Sequence, residues 1–312
     1  MFVKKSILVL CWVAMAGLGY GQNKKLPVKA TPNAKPGSKT TANKASANTL
    51  LWKISGNGLQ KPSYLFGTMH LCADSVKLSE NLKKVIHDCD VIYFELDLDD
   101  MQEQLGALKY ARMNDNKKIS DLLTQDEYHK LDSFLKSIKS PLPLSMMNSF
   151  KPLFVSSLIE ARVSNCDASG GMEMQIMAEN RKQNAKEIKG METPRYQAGL
   201  FDSIPYEKQA KELLNYVDSI DSYKKSGEEL IHVYEKQDLK KIDQLITKSD
   251  PGLDQYMDLL LYNRSKMWSQ QMPTIMAGRS VLFAVGAGHI VGDKGVISLL
   301  RKKGYTMTPV AN

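Results

Sequence analysis

A chain of 312 residues, 43% hydrophobic and 24% charged, has the fractions of an ordinary globule, with material for one large domain or two and no difficulty in burying a sizeable core. Its formal charge of +8 is gathered at one end, because eight lysines and no acidic residue precede position 49. The rest is near neutral, so the basic character describes a tail, and no nucleic-acid partner is expected.

The first residues, MFVKKSILVLCWVAMAGLGYGQ, set Lys4 and Lys5 before an apolar stretch that ends in small residues. This is the pattern of a secretory signal over 1–21, with cleavage after Gly21 and export to the periplasm or the extracellular space. The stretch falls short of the roughly 20 residues that span a bilayer, so no stable membrane span is expected. From 22 to 48 the chain is Lys, Pro, Ala, Ser, Thr and Asn with almost nothing to bury, the composition of a disordered tether. That leaves 49–312 as the folded part. Once Cys11 departs with the signal, Cys72, Cys89 and Cys166 remain, an odd number that allows at most one bridge. Cys72 with Cys89 would tie the ends of one helical segment. No CxxC or Cys/His zinc spacing occurs, so buried thiols are the default reading.

Leu50 to Ser55 and Ser63 to Gly67 read as strands joined by the turn-rich GNGLQKPS, which predicts a hairpin. Apolar residues at helical spacing over Val76 to Cys89 predict a helix, and VIYFELD, Val91 to Asp97, predicts a strand covered on both faces. This strand-helix-strand unit is expected to form a parallel pair. The region of about 100–278 reads as largely helical, broken at Pro141 and Pro143, by a loop over Asn165 to Gly171, near Ser226 and at Pro251-Gly252. KEIKGME, Lys186 to Glu192, interrupts it as a short strand. A strand over Ser280 to Val285, a loop, a helix over Lys294 to Lys303 and a strand over Tyr305 to Val310 close the chain. The fold class expected is α/β, or α+β: a central mixed, partly parallel sheet from two pseudo-repeated strand-loop-helix-strand units, with a large helical insertion.

Both units carry Gly-x-x-His after a strand, as GTMH ending at His70 and GAGH ending at His289. Taken singly, each motif is equally a turn followed by a helix cap. Repeated, and placed at the carboxyl ends of parallel strands, the two histidines face one crevice. Glu95 interrupts an apolar strand, where an ionised carboxylate is costly unless paired or metal-bound, and Glu192 stands at the matching place after KEIKGM. His70, His289, Glu95 and Glu192 form a candidate first shell for a divalent transition metal, or a hydrogen-bonded polar cluster without one. Arg264, in LYNRSKMW, is either a surface arginine or a guanidinium that steadies developing negative charge. His87, His129 and His232 read as solvated. GAGHIVG is not a dinucleotide loop, since too little chain follows it and no acidic residue is available for a ribose.

The stretches LLWKISGNGLQKPSYLFGTMHL, YFELD, GMETPRYQ, NRSKMW and VLFAVGAGHIVGDKGVISLLRKKGY resemble the TraB/GumN family, related to pheromone-shutdown proteins and to Tiki-type metalloproteases. The resemblance runs from Leu50 to Val310. It implies that His70, His289, Glu95 and Glu192 fall on the family's paired His and Glu positions and Arg264 on its arginine. It further implies metal-dependent hydrolysis, with manganese, cobalt or zinc as the candidate ion. Met172-Glu173, after Gly170-Gly171, departs from a pattern that calls for aspartate after glycine, so no role follows for that loop. The expectation is an exported metal-dependent hydrolase acting on a peptide or small molecule. The alternatives are a binding protein that sequesters a peptide, haem or small ligand in the same cleft, and an esterase-like activity there.

Overall fold

A computed structural model describes residues 48–70, 76–164, 171–247 and 254–312. The signal and tether expectations, Cys11, Cys72 and Cys166, and the breaks expected at 165–170 and at Pro251-Gly252 lie outside those residues. Cys89 is described, as a buried free thiol.

Among the described residues six strands form one mixed sheet: β1 (Leu51–Ser55), β2 (Ser63–Thr68), β3 (Val91–Phe94), β4 (Glu187–Gly190), β5 (Val281–Gly286) and β6 (Thr306–Pro309). Their spatial order is β4-β3-β5-β2-β1-β6. β1 and β2 form the expected hairpin, with Leu51 opposite Phe66. Gly56, Asn57 and Gly58 take left-handed φ of 78°, 47° and 81° in its turn, a conformation for which GNG is the suitable sequence.

The first unit does place its two strands parallel in one sheet, but not side by side. β5 lies between β2 and β3 and pairs parallel with both. The reason is hydrophobicity: VLFAVG is buried along its whole length, and a strand covered on both faces and both edges belongs at the centre. The short β4, with exposed Glu187, takes the edge beside β3. The closing strand does not repeat the first unit, since β6 runs antiparallel to β1 at the opposite edge.

The helix between β2 and β3, α1 (Glu80–Asp88), starts later than the sequence pattern predicts, where the Ser79 hydroxyl accepts from Leu82 N–H. Between β3 and β4 run α2 (Met101–Tyr110), α3 (Ile119–Leu122), α4 (Gln125–Ser137), α5 (Leu144–Met147), α6 (Pro152–Val163) and α7 (Met172–Asn180). Between β4 and β5 come α8 (Pro194–Asp202), α9 (Tyr206–Asp218), α10 (Ile220–Glu235), α11 (Leu239–Thr247), a π-helical turn at Asp258–Tyr262 and α12 (Asn263–Ile275). α13 (Ala287–Ile290) and α14 (Val296–Lys302) follow β5. No break occurs at Ser226. α10 passes through it, the hydroxyl donating to the Ser222 carbonyl at 3.0 Å, which keeps the polar group within the helix.

Apolar side chains gather in two clusters. One covers both faces of the sheet and includes Phe66, Ile92, Phe283, Trp268 and Leu300. The other is built by the inserted helices around Leu131, Phe154, Ile159 and Leu213. α6 belongs to it with apolar residues on nearly every side, as a helix at the middle of a bundle must be.

Candidate functional site

β2, β3, β4 and β5 run parallel, so their carboxyl ends emerge on one side of the sheet. His70, Glu95, Glu192 and His289 each follow one of those ends. The pairing of β3 with β4 continues past the strands, as Met191 N–H donates to Phe94 O at 2.8 Å and Glu192 N–H to Glu95 O at 2.9 Å. The two glutamates therefore stand side by side. From β5, the Gly286 N–H donates to Glu95 Oε1 at 2.9 Å. That same oxygen lies 3.7 Å from His70 Nε2 and 3.8 Å from His289 Nε2. The four residues singled out from the sequence thus do meet, with one carboxylate oxygen between two imidazoles.

The glycines of the two Gly-x-x-His motifs do not take left-handed φ; what each supplies is room. A Cβ on Gly67 would stand 2.7 Å from Ile290 Cδ1, so glycine here lets β2 pack closely under α13. A Cβ on Gly286 would stand 3.1 Å from Glu95 Oε1 and 3.2 Å from His70 Nε2, within the space where the polar atoms converge.

Arg264 is fully buried and no surface residue. Its Nη2 donates to Glu95 Oε2 at 2.6 Å and to Glu192 Oε2 at 2.8 Å, its Nε reaches Glu192 Oε1 at 3.1 Å, and its Nη1 reaches Leu260 O and His289 Nε2, each at 3.1 Å. Two buried carboxylates share one guanidinium, the kind of partner that a buried ionic group requires. Glu95 sits well below the ordinary carboxyl range: burial pushes it up, but Arg264 and then the two histidines outweigh burial.

The two histidines hold opposite states. His289 is pushed down to about 3, first by burial and then by Arg264. It is neutral, with Nδ1 3.0 Å from Ser265 Oγ. The Ser265 hydroxyl donates to Leu261 O at 3.1 Å, which assigns the ring proton to Nδ1 and leaves the Nε2 lone pair to accept from Arg264. For His70, burial acts downward, but Glu173 and then Glu95 outweigh it and raise the ring to about 9, so it is an imidazolium at neutral pH. Its Nδ1 is 2.8 Å from Glu173 Oε1, as an ion pair more than an aligned hydrogen bond. His87 is not simply solvated: its Nε2 pairs with Glu179 at 3.0 Å.

Four residues around this centre were given no role from the sequence. Gln197 Nε2 bridges Glu95 Oε2 at 3.2 Å and Glu192 Oε2 at 3.0 Å. Thr193 caps α8 and Pro194 opens it, which places Gln197 in the first turns beyond Glu192. Trp268 Nε1 donates to Glu192 Oε1 at 2.9 Å while its ring packs 4.3 Å from that of His289 and 4.9 Å from the Arg264 guanidinium. Ser265 and Glu173 complete the set. Arg264 and Trp268 are one helical turn apart on α12 and Ser265 adjoins Arg264, so one face of that helix supplies all three. Three of the four, Gln197, Ser265 and Trp268, lie inside the motif stretches GMETPRYQ and NRSKMW, and polar residues within such stretches were the available signal.

The donor types suit a divalent transition ion: two imidazoles with Nδ1 held by neighbouring acceptors and Nε2 turned inward, and a carboxylate oxygen between them. Their present spacing does not close around one. Among the described residues no group of three or more His, Cys, Asp or Glu side chains is placed to hold a metal, and Arg264 Nη1 occupies the inward nitrogen of His289. No described helix is long and apolar enough to cross a membrane.

A sequence profile described as the TraB/PrgY/gumN family matches residues 50–309. Among curated proteins, the chain is 21% identical to "Metalloprotease TIKI1" of Danio rerio over 96% of its own length and 69% of that protein. It is 22% identical to "Metalloprotease TIKI2" of Xenopus tropicalis and 22% identical to "Metalloprotease TIKI1" of Homo sapiens, in each case over 83% of this chain and over 59% and 61% of those proteins. The chain thus spans about three fifths to two thirds of the length of these relatives. No solved structure matches it.

Proposed function

The chain belongs to the TraB/PrgY/gumN family, and from that premise we propose that it is an exported metal-dependent hydrolase acting on peptide bonds. The observation that carries this reading is the meeting of His70 Nε2 and His289 Nε2 on one oxygen of Glu95, at 3.7 and 3.8 Å. The metalloprotease names of the relatives bring the reaction class with them.

His70, His289 and Glu95 are the residues that hold the ion in this reading, which supplies Lewis acidity toward a carbonyl and toward water. To serve as a ligand His70 would release its Nε2 proton to water and keep its Nδ1 proton against Glu173. His289 needs no deprotonation, since its Nε2 already carries a lone pair, but Arg264 Nη1 must leave it. Glu192 accepts from Arg264, Gln197 and Trp268 on its two oxygens, so we assign it the task of holding Arg264 in place. Arg264, released from His289, is the cation nearest an oxyanion forming at this centre.

The test is elemental analysis of protein purified without chelator, followed by incubation with manganese, cobalt or zinc and a diverse peptide mixture, with new termini identified by mass spectrometry. New termini that disappear in His70→Ala and His289→Ala are the expected result. Absence of metal together with no response to any of the three ions would reject it.

One observation favours a second reading. Arg264 on His289 Nε2, with the His70 imidazolium beside Glu95, gives the buried glutamates cationic partners without an ion, which suits a protein that captures a peptide or small ligand and does not cleave it. Peptides retained on the protein with their termini unchanged would select this reading.

A further inference from the structure

We propose that Glu173 is a positioning residue of this site: its carboxylate holds the His70 ring at Nδ1 so that Nε2 is turned toward Glu95. The inference deepens the hydrolase reading and rests on it.

The ring is gripped from two edges, with Nδ1 2.8 Å from Glu173 Oε1 and Nε2 3.7 Å from Glu95 Oε1. Rotation about the ring's own axis would break both contacts at once. Glu173 is only 8% exposed, and a buried carboxylate needs a partner; His70 is that partner.

The backbone supplies the independent argument. α7 begins against His70, with the Met172 N–H donating to Met69 O at 2.9 Å. A Cβ on Gly171 would stand 2.3 Å from His70 O and 2.6 Å from its Cα. Glycine at 171 therefore lets the helix lie directly on the residue whose side chain it holds, and the carboxylate is placed by backbone contact and not by the reach of a flexible side chain. A chance surface pair needs no such seat. Because a histidine that serves as a metal ligand is held in this way at its other nitrogen, Glu173 acts on the centre through His70.

The experiment uses the full chain with 15N-labelled histidine, metal-free, with the His70 signals assigned by their loss in His70→Gln. A solvent-protected Nδ1–H is expected in the wild type, lost in Glu173→Gln and retained in Glu173→Asp, with circular dichroism reporting all three folded. Gly171→Ala is expected to lose it as well, and with Glu173→Asp it carries the comparison should Glu173→Gln fail to fold. In parallel, cobalt(II) absorbance titrations are expected to give affinity about 10- to 100-fold weaker in Glu173→Gln, with partial recovery in Glu173→Asp. A wild-type His70 with no protected Nδ1–H, or one unchanged in Glu173→Gln and Gly171→Ala, overturns the positioning role. A protected Nδ1–H that depends on Glu173 in a protein that takes up no cobalt upholds the positioning role and rejects the metal.

Discussion

Arg264 Nη1 lies 3.1 Å from His289 Nε2, and this hydrogen bond joins the two residues that the proposed hydrolytic centre would have to separate. Burial and then the guanidinium keep the imidazole neutral, and the guanidinium fills its inward lone pair. It also pairs with Glu95 and Glu192 from its other nitrogens, so removing it strands two buried carboxylates. Arg264→Ala is expected to cost about 3–5 kcal/mol, read as a lowered urea midpoint. Arg264→Lys keeps a charge but loses the forked geometry, and should fall between. An Arg264→Ala protein as stable as the wild type would show that the guanidinium is not what supports the two buried carboxylates.

The two motif glycines separate stability from site geometry. Gly67→Ala forces a methyl into Ile290 and Ala287 between β2 and α13, and overpacking of this kind costs about 1–3 kcal/mol. Gly286→Ala meets instead the polar atoms of Glu95 and His70 at 3.1 and 3.2 Å, which can give by a few tenths of an ångström. It should fold with a melting temperature near that of the wild type and lose metal uptake and cleavage. Equal destabilisation of the two variants would mean that Gly286 serves packing alone.

Gln197 has no exposed surface and donates to both carboxylates from one nitrogen. Gln197→Leu removes that donor and is expected to cost about 1–3 kcal/mol. Gln197→Glu adds a third acid beside a single guanidinium and should be worse at neutral pH, with stability regained on acidification as the new carboxyl takes a proton. A Gln197→Glu variant whose stability ignores pH between 5 and 8 would contradict this electrostatic account.

The buried titrating groups also predict how stability depends on pH. His70, raised to about 9, holds its proton more tightly in the folded state, so its contribution is complete below about 6.5 and is lost as pH rises through 9. His289, lowered to about 3, resists protonation when folded, so its contribution is complete above about 6.5 and is lost as pH falls toward 3. Burial raises Glu160 to about 7, so its loss of stability between about pH 4.5 and 7 offsets the gain from His289 there; unfolding free energies should be level up to about pH 6.5 and then fall, the alkaline limb approaching about 1.4 kcal/mol per pH unit. Urea titrations across pH 4 to 9 measure this, and Glu173→Gln should flatten the alkaline limb only. An alkaline limb identical in that variant would remove Glu173 as the cause of the His70 shift.

Much of this was readable along the chain. The hairpin, the apolar β5, the two Gly-x-x-His loops and the strand-end glutamates are written in local alternation and turn residues, because side-chain period and backbone freedom are set within a few positions. Glu173 was legible only as a departure from a family pattern, since its partner His70 is distant in sequence and enters through the seat at Gly171. The fate of Arg264 was equally hidden, because a guanidinium reads the same in sequence whether it meets water or two acids.

By itself, then, the order of residues determined which segments become strands and helices and which polar side chains stand at their ends. Only the tertiary structure decided that β5 enters between β2 and β3, that His70 is charged while His289 is neutral, and that Arg264 closes the centre. Those outcomes depend on burial and on charges brought together by long-range pairing, and neither quantity exists until the sheet has closed.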